Sequence, residues 1–185
     1  MRVFISIELN NTIKKKIGCL MDQLKKEPAP VKWVKVENLH ITLKFLGWVD
    51  DQKIDSLVHI VADAVSGARR FKAKFENLEF FPNEKRPRGI WIGITEGTDQ
   101  LNSLAGRLEE KLLNAGDKSE TREFNPHITI GRVKENSGLE KLKQKITKLH
   151  ALKFGKLLIE KISIMKSTLT PKGPVYERIK AIGLD

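Results

Sequence analysis

The feature of this chain that most restricts its fold is a short motif written twice, HITL at positions 40–43 and HITI at positions 127–130. The two copies lie 87 residues apart, and the same offset places the opening strand pattern RVFISIEL on GIWIGITE. An amphipathic helix pattern follows each opening strand, and another follows each His-Thr segment. The sequence therefore predicts two repeats, approximately 2–81 and 89–168, each with the order strand, helix, strand, helix, strand.

The later elements of each repeat are also predicted from their apolar spacing. Helices are expected at about 52–65 and 139–149, and strands at 71–81 and 156–166, followed by a last strand after the turn TPKGP. This order predicts an α+β fold over residues 1–185, a single domain of two pseudo-symmetric lobes. We expect mostly antiparallel sheets facing a central cleft with the helices outside. The pattern does not specify the strand order.

The charge of the chain favours a polyanionic partner. The net charge is +11 with a sequence pI of about 9.7, which makes nucleic acid the first hypothesis. The alternative is a solvated surface rich in both signs, as heat-adapted proteins often show. No apolar stretch reaches the ~18–20 residues that a bilayer requires, and the single cysteine excludes a disulfide within the chain. These features predict a cytoplasmic protein with no membrane association, and we expect a monomer.

The paired motif places a histidine and a threonine on the same side of each strand. In a β-strand, residues i and i+2 point to one face, so His40 and Thr42 share a face, as do His127 and Thr129. The apolar residues between and after them face the other way, toward a core. If a twofold relates the lobes, the two polar faces meet across one cleft.

Two imidazoles and two hydroxyls in one cleft suit in-line displacement at phosphorus. Histidine titrates near neutral pH, so one ring can act as general base while the other, protonated, acts as general acid. Threonine hydroxyls can donate to oxygens that gain negative charge in the transition state. The alternatives are ordinary strand histidines and a metal site. The metal site is weakly supported because the cluster has neither a nearby cysteine nor an evident third ligand.

The doubled motif and its flanks resemble the two-histidine phosphoesterase superfamily, specifically the RNA 2′,3′-cyclic phosphodiesterases, also called 2′–5′ RNA ligases. The resemblance extends over nearly the whole chain and is carried by RVFISIEL, VKWVKVENLHITLKFLG, RPRGIWIGI, FNPHITIGR and STLTPKGPVYERI. It implies a bilobal fold with the active site between the lobes. It also implies hydrolysis of RNA 2′,3′-cyclic phosphate ends to 2′-phosphates, and the reversible joining of RNA ends, such as tRNA halves, through a 2′–5′ bond.

The resemblance also assigns roles to residues. His40 is expected to be the proton donor and His127 the proton acceptor, while Thr42 and Thr129 hold the non-bridging phosphate oxygens. No metal and no cofactor is expected. From the residues alone the two motifs are nearly identical, so the assignment of acid and base depends on the family.

A further pair follows the same offset. Phe45 and Arg132 each lie five residues after their histidine, and an aromatic ring and a guanidinium plane can clamp a nucleobase. The resemblance supports a substrate-binding role for both. Strict alternation instead puts them on the opposite face from the histidines. Either the strands bulge first, or Phe45 is a core residue and Arg132 forms a surface ion pair.

Weaker signals complete the prediction. The basic loop 83–89 can guide an RNA strand or be merely solvated, Trp33 and Trp48 can line the cleft, and Trp91 is interpreted as core. Two alternatives to the RNA enzyme stay open. One is a phosphodiesterase for a small cyclic nucleotide, and the other is a non-catalytic RNA-binding module.

Overall fold

The computed structural model describes residues 1–117 and 123–185, and its elements repeat the offset of the sequence. In chain order they are β1 (Arg2–Glu8), α1 (Asn11–Leu24), β2 (Val31–Trp33), β3 (His40–Trp48), α2 (Ile54–Val65), β4 (Phe71–Phe81), β5 (Gly89–Glu96), α3 (Thr98–Asn114), β6 (His127–Val133), α4 (Glu140–Lys148), β7 (Lys153–Ile159), β8 (Lys161–Thr170) and β9 (Gly173–Gly183). The elements β1, α1 and β3 begin 87 residues before β5, α3 and β6. The α+β class is confirmed.

Most predicted elements form close to their expected bounds, and one does not. The segment 156–166 was expected to be a single strand, but the chain breaks at Glu160 into β7 and β8. The expectation fails because neither glycine nor proline marks the break and the apolar pattern runs on through it. The short strand β2 was not predicted.

The strands form one sheet with the order β7-β4-β5-β6-β3-β1-β8-β9, and β2 pairs with β6. Every strand pair assigned in the described residues is antiparallel, as predicted. The order exchanges elements between the repeats, because β4 pairs with β5 and β8 pairs with β1. The helices follow the same exchange, since α2 packs on α3 and α1 on α4. Each half of the sheet is therefore built from both repeats.

The helices bury the stripes that the sequence predicted. Asn10 caps α1, and its side chain accepts a hydrogen bond from the backbone N–H of Ile13 at 2.9 Å. The buried stripe residues are Ile13, Ile17, Leu20, Met21 and Leu24 on α1, and Leu101, Leu104, Ala105, Leu108 and Leu112 on α3.

In the described residues, no helix is both long enough and apolar enough to cross a membrane.

Gly131 of β6 is required by the strand that covers it. A Cβ added there would lie 2.8 Å from Cγ1 of Val31 and 3.2 Å from the ring of Trp33, both on β2. We expect Gly131→Ala to lower the free energy of unfolding by about 1–3 kcal/mol through overpacking, measured by urea denaturation. The matched control is Gly106→Ala on α3, where a Cβ meets nothing within 4 Å. That change should instead stabilise by about 1 kcal/mol through helix propensity.

Candidate active site

The two His-Thr strands are direct neighbours in the sheet. Ile41 of β3 is the register partner of Ile128 of β6, and both side chains are fully buried at 0% exposure. Opposed residues of an antiparallel pair project to the same face, so the two isoleucines define a common buried face. The residues on either side of them must project to the other face. The structure therefore brings the polar members of both motifs to one surface.

Continuing this register places each histidine opposite the threonine of the other motif. His40 comes opposite Thr129, and Thr42 comes opposite His127. The two histidines then lie on a diagonal, for which the backbone spacing in a sheet is roughly 7–8 Å. The charge of His40 lowers the pKa of His127, so the two rings are close enough to interact electrostatically.

Both imidazoles are held by the same backbone contact. The Nδ1–H of His40 donates to the carbonyl of Asn38 at 2.7 Å, and the Nδ1–H of His127 donates to that of Asn125 at 2.6 Å. This contact fixes the tautomer and leaves Nε2 of each ring for chemistry. At His40 the Thr42 hydroxyl donates to the neutral Nε2 at 2.9 Å. Neither asparagine was predicted to belong to the site, although they also lie 87 residues apart.

The aromatic surroundings of the two rings differ. His40 lies 5.0 Å from the ring of Phe4 at a tilt and meets Tyr176 edge-on at 5.4 Å. His127 stacks flat on Trp91 at 3.4 Å, and Phe81 stacks on the other side of Trp91 at 3.7 Å. The interpretation of Trp91 as core is therefore wrong. It occupies the position equivalent to Phe4, but its half-buried ring supports the second histidine.

The pKa of each imidazole lies below its ordinary value of 6.5. Burial is the main cause for both His40 and His127, and the carbonyl contacts through Nδ1 act in the opposite direction. The positive charge of Arg132 lowers both pKa values further, and Lys14 also lowers that of His40. An anion between the rings would raise both, because it stabilises the imidazolium form.

Matching bulges turn the residues that follow each motif. The pairing of β1 with β3 skips Leu43, and that of β5 with β6 skips Ile130. In each strand the first residue after the bulge is buried and the second is exposed. The second residue is Phe45 in β3, which is 61% exposed, and Arg132 in β6, which is also exposed. Of the two expectations for Phe45, a core position is therefore wrong. The bulge supplies the turn toward the histidine side.

Contacts tie both of these residues to the site. The ring of Phe45 lies 6.0 Å from that of Phe4, which itself contacts His40. Arg132 is close enough to lower the pKa of both histidines and of Tyr176. Within the described part of the chain, the guanidinium of Arg132 makes no ion pair. The expected surface ion pair is therefore absent there, and the guanidinium can serve an anionic or planar ligand.

The remaining candidates lie outside this cluster. Trp33 is half-buried against Gly131, while Trp48 is 81% exposed at the end of β3. His59 and His150 are exposed, and in the part of the chain that the structure describes their rings hydrogen-bond to backbone carbonyls. Across residues 1–117 and 123–185, the His, Cys, Asp and Glu side chains form no group of three or more that could hold a metal ion.

Comparison with known proteins identifies relatives over almost the full chain. Residues 18–170 match the family model described as the 2′-5′ RNA ligase superfamily. The RNA 2′,3′-cyclic phosphodiesterase of Methanocaldococcus jannaschii is 40% identical over 180 residues, which cover 97% of this chain and 99% of that protein. The enzyme of the same name from Thermotoga maritima is 36% identical over 177 residues, covering 96% of this chain and 92% of that protein.

Solved structures show the same fold. The crystal structure of TT0787 from Thermus thermophilus aligns with a TM-score of 0.79 at 24% identity, covering 100% of this chain and 98% of that chain. The likeness to this structure therefore supports the curled antiparallel sheet with outer helices, independently of the sequence relatives.

Proposed function

Because this chain belongs to the 2′-5′ RNA ligase superfamily, we propose that it opens the 2′,3′-cyclic phosphate at the end of an RNA to leave a 2′-phosphate. The same displacement with a 5′-hydroxyl in place of water would join such an end to another RNA through a 2′–5′ bond. The observation that carries the proposal is the pairing of β3 with β6, which brings two His-x-Thr motifs onto one surface. The relatives described above are RNA 2′,3′-cyclic phosphodiesterases, which supports the substrate class.

The two histidines divide the proton transfers of ring opening. His127, neutral at Nε2, removes a proton from the attacking water, whose oxygen forms the new bond to phosphorus. His40, protonated at Nε2, donates its proton to the 3′ oxygen as the bond from phosphorus to that oxygen breaks. For 2′–5′ joining, the 5′-hydroxyl takes the place of water. In the reverse of either reaction the two rings exchange roles.

The threonines stabilise the negative charge that develops on the phosphoryl oxygens. Thr42 and Thr129 lie on the histidine face, where their hydroxyls can donate to the non-bridging oxygens. In the structure the Thr42 hydroxyl donates to Nε2 of His40. Protonation of Nε2 turns that nitrogen into a donor and releases the hydroxyl for phosphate. The catalytic form of His40 is therefore also the form that frees Thr42.

Phe45 and Arg132 would bind the terminal nucleoside. The bulges bring them to the histidine side, one exposed ring and one exposed guanidinium. Such a pair can hold a base between two flat surfaces and can balance the phosphate charge. Cytoplasmic localisation, the monomeric state and tRNA halves as substrates stay predictions.

The test is turnover of a short RNA ending in a 2′,3′-cyclic phosphate, in buffer containing EDTA, with the product identified. We expect the product to carry a 2′-phosphate, and we expect the rate to equal that in buffer without EDTA. A 3′-phosphate would contradict the role of His40 at the 3′ oxygen. Binding without product would indicate an RNA-binding module, and turnover confined to small cyclic nucleotides would indicate the other phosphodiesterase activity.

The pH profile follows from the lowered histidine pKa values. The reactive free enzyme carries one proton over the two rings, a form most populated between the two macroscopic pKa values. Since the pKa of each ring is depressed, we expect a bell-shaped profile of kcat/KM with its optimum below pH 6.5. The pH optimum of kcat should lie at higher pH than that of kcat/KM, because the negative charge of bound substrate phosphate raises the pKa of both histidines. An optimum of kcat/KM well above pH 6.5 would contradict this.

A further inference from the structure

A cavity of about 370 Å³ opens beside His40. Its walls come from β1, β8, β9, the start of α1 and the 3₁₀ turn at Val36–Asn38. We call it the His40 cavity. It includes His40 and Tyr176, while neither His127 nor Arg132 lines it. The cavity therefore lies on one side of the histidine pair, and the function proposed above leaves it without a ligand.

We propose that the His40 cavity binds the penultimate nucleotide of the RNA, through its phosphodiester and its ribose. This rests on the proposed function, because it uses the assignment of His40 to the departing 3′ oxygen. It makes the substrate an RNA chain of two or more nucleotides rather than a cyclic mononucleotide.

The direction of the chain follows from the geometry of in-line ring opening. The departing 3′ oxygen lies next to His40, and the entering oxygen lies on the opposite side of phosphorus, next to His127. The ribose carbon that bears the 3′ oxygen is bonded to C4′, which leads through C5′ to the preceding phosphate. The base leaves from C1′, on the side of the 2′ oxygen. The upstream chain therefore passes His40, whereas an entering strand would approach past His127.

The charge of the cavity suits a phosphodiester. Lys14, Lys35 and Arg178 line it together with the carboxylates of Glu8 and Glu37. Burial lowers the pKa of Lys14, and its ammonium donates to the carbonyl of Glu37 at 2.7 Å. In the described residues Lys14 has no carboxylate within ion-pair distance. A phosphate beside it would compensate for its partial loss of water.

The polar groups deeper in the wall suit a ribose hydroxyl. Ser6 is 1% exposed, and its hydroxyl has no hydrogen-bond partner in the described residues. Glu8 is held by Ser163, whose hydroxyl donates to Oε1 at 2.6 Å, and by Arg178 at 3.4 Å. A 2′-hydroxyl both donates and accepts, so a carboxylate and a hydroxyl together can satisfy it. DNA lacks this hydroxyl and would leave the Ser6 hydroxyl unpaired.

The experiment compares a nucleoside 2′,3′-cyclic phosphate with a dinucleotide that ends in the same group. We expect wild-type kcat/KM to be at least about tenfold higher for the dinucleotide, and Lys14→Ala to remove about tenfold of that preference. The matched control is Lys15→Ala, an exposed lysine on the same helix, which should keep the preference. A deoxyribose at the penultimate position should slow wild type, but should slow Glu8→Gln less.

Three results would overturn the proposal. They are equal kcat/KM for both substrates in wild type, an equal loss on both in Lys14→Ala, and a Lys14→Ala effect confined to the KM of the 5′-hydroxyl strand in ligation. A wild type that opens neither substrate would instead refute the proposed function. Equilibrium binding of the dinucleotide ending in a 2′-phosphate, compared with the nucleoside 2′-phosphate, then tests the cavity without turnover. The same Lys14-dependent preference is expected, and its absence would refute the cavity.

Discussion

A His40→Ala variant is expected to open 2′,3′-cyclic ends about 10²–10⁴-fold more slowly than wild type, and His127→Ala should fall by a similar factor. Each change removes one of two proton transfers in a single displacement. Because the two groups act together, the double variant should be far less impaired than the product of the single losses. Single-turnover rates with saturating enzyme measure these effects on the chemical step.

Two comparisons make this prediction specific. His59→Ala on α2 removes an exposed histidine outside the cluster and should leave the rate unchanged. A cyclic substrate with sulfur in place of the 3′ oxygen releases a thiolate, which needs no proton. That substrate should restore much of the rate of His40→Ala and little of the rate of His127→Ala. Restoration in the opposite variant would reverse the acid and base assignment, and an unaffected single variant would refute the pair.

Removing the threonine hydroxyls should have the next largest effect. Thr129→Val keeps the shape of the side chain but deletes a hydroxyl that donates to the phosphoryl oxygens. We therefore expect kcat to fall by about 10²–10³-fold. Thr42→Val should lower kcat by a similar factor, because protonation of His40 releases the Thr42 hydroxyl to make the equivalent contact with phosphate. The rate of ring opening under saturating substrate provides the measurement.

Serine is the matched control at both positions. Thr42→Ser and Thr129→Ser keep the hydroxyl and delete a methyl group, so they should retain most of the activity. If the threonines act only by packing, the order reverses, with valine active and serine impaired. That order would remove the hydroxyls from the mechanism.

The sequence predicted the parts of the site that are written twice. The offset of 87 residues located both motifs, both opening strands and both helices after them. Alternation then predicted that each threonine lies on the same face as its histidine. Ile41 and Ile128 lie between the two polar residues of each motif and are buried, so the polar residues project to the opposite face. The same offset also contains Asn38 and Asn125, whose carbonyls hold the rings. They were missed because the contact is made by the backbone, to which side-chain identity gives no direct signal.

Features that depend on distant pairing were not predictable in the same way. The exchange of β4 and β8 between the repeats depends on which strand edges pair. The apolar pattern of a strand is the same whether it pairs within its own repeat or with the other repeat, so the sequence does not predict the partner. The bulges at Leu43 and Ile130 interrupt alternation without a glycine or proline at the skipped residue. Trp91 looked like core because Phe4 is its counterpart. Only the tertiary contact with His127 shows its different position.

The central claim is that both imidazoles act on one phosphorus atom from opposite sides. The most direct measurement is a crystal structure with a nucleoside vanadate, in which vanadium takes the trigonal bipyramidal geometry of the displacement. We expect Nε2 of His40 and Nε2 of His127 to lie within about 2.6–3.2 Å of the two opposite apical oxygens. A complex in which one ring alone reaches the vanadate, or both rings contact the same side, would contradict it.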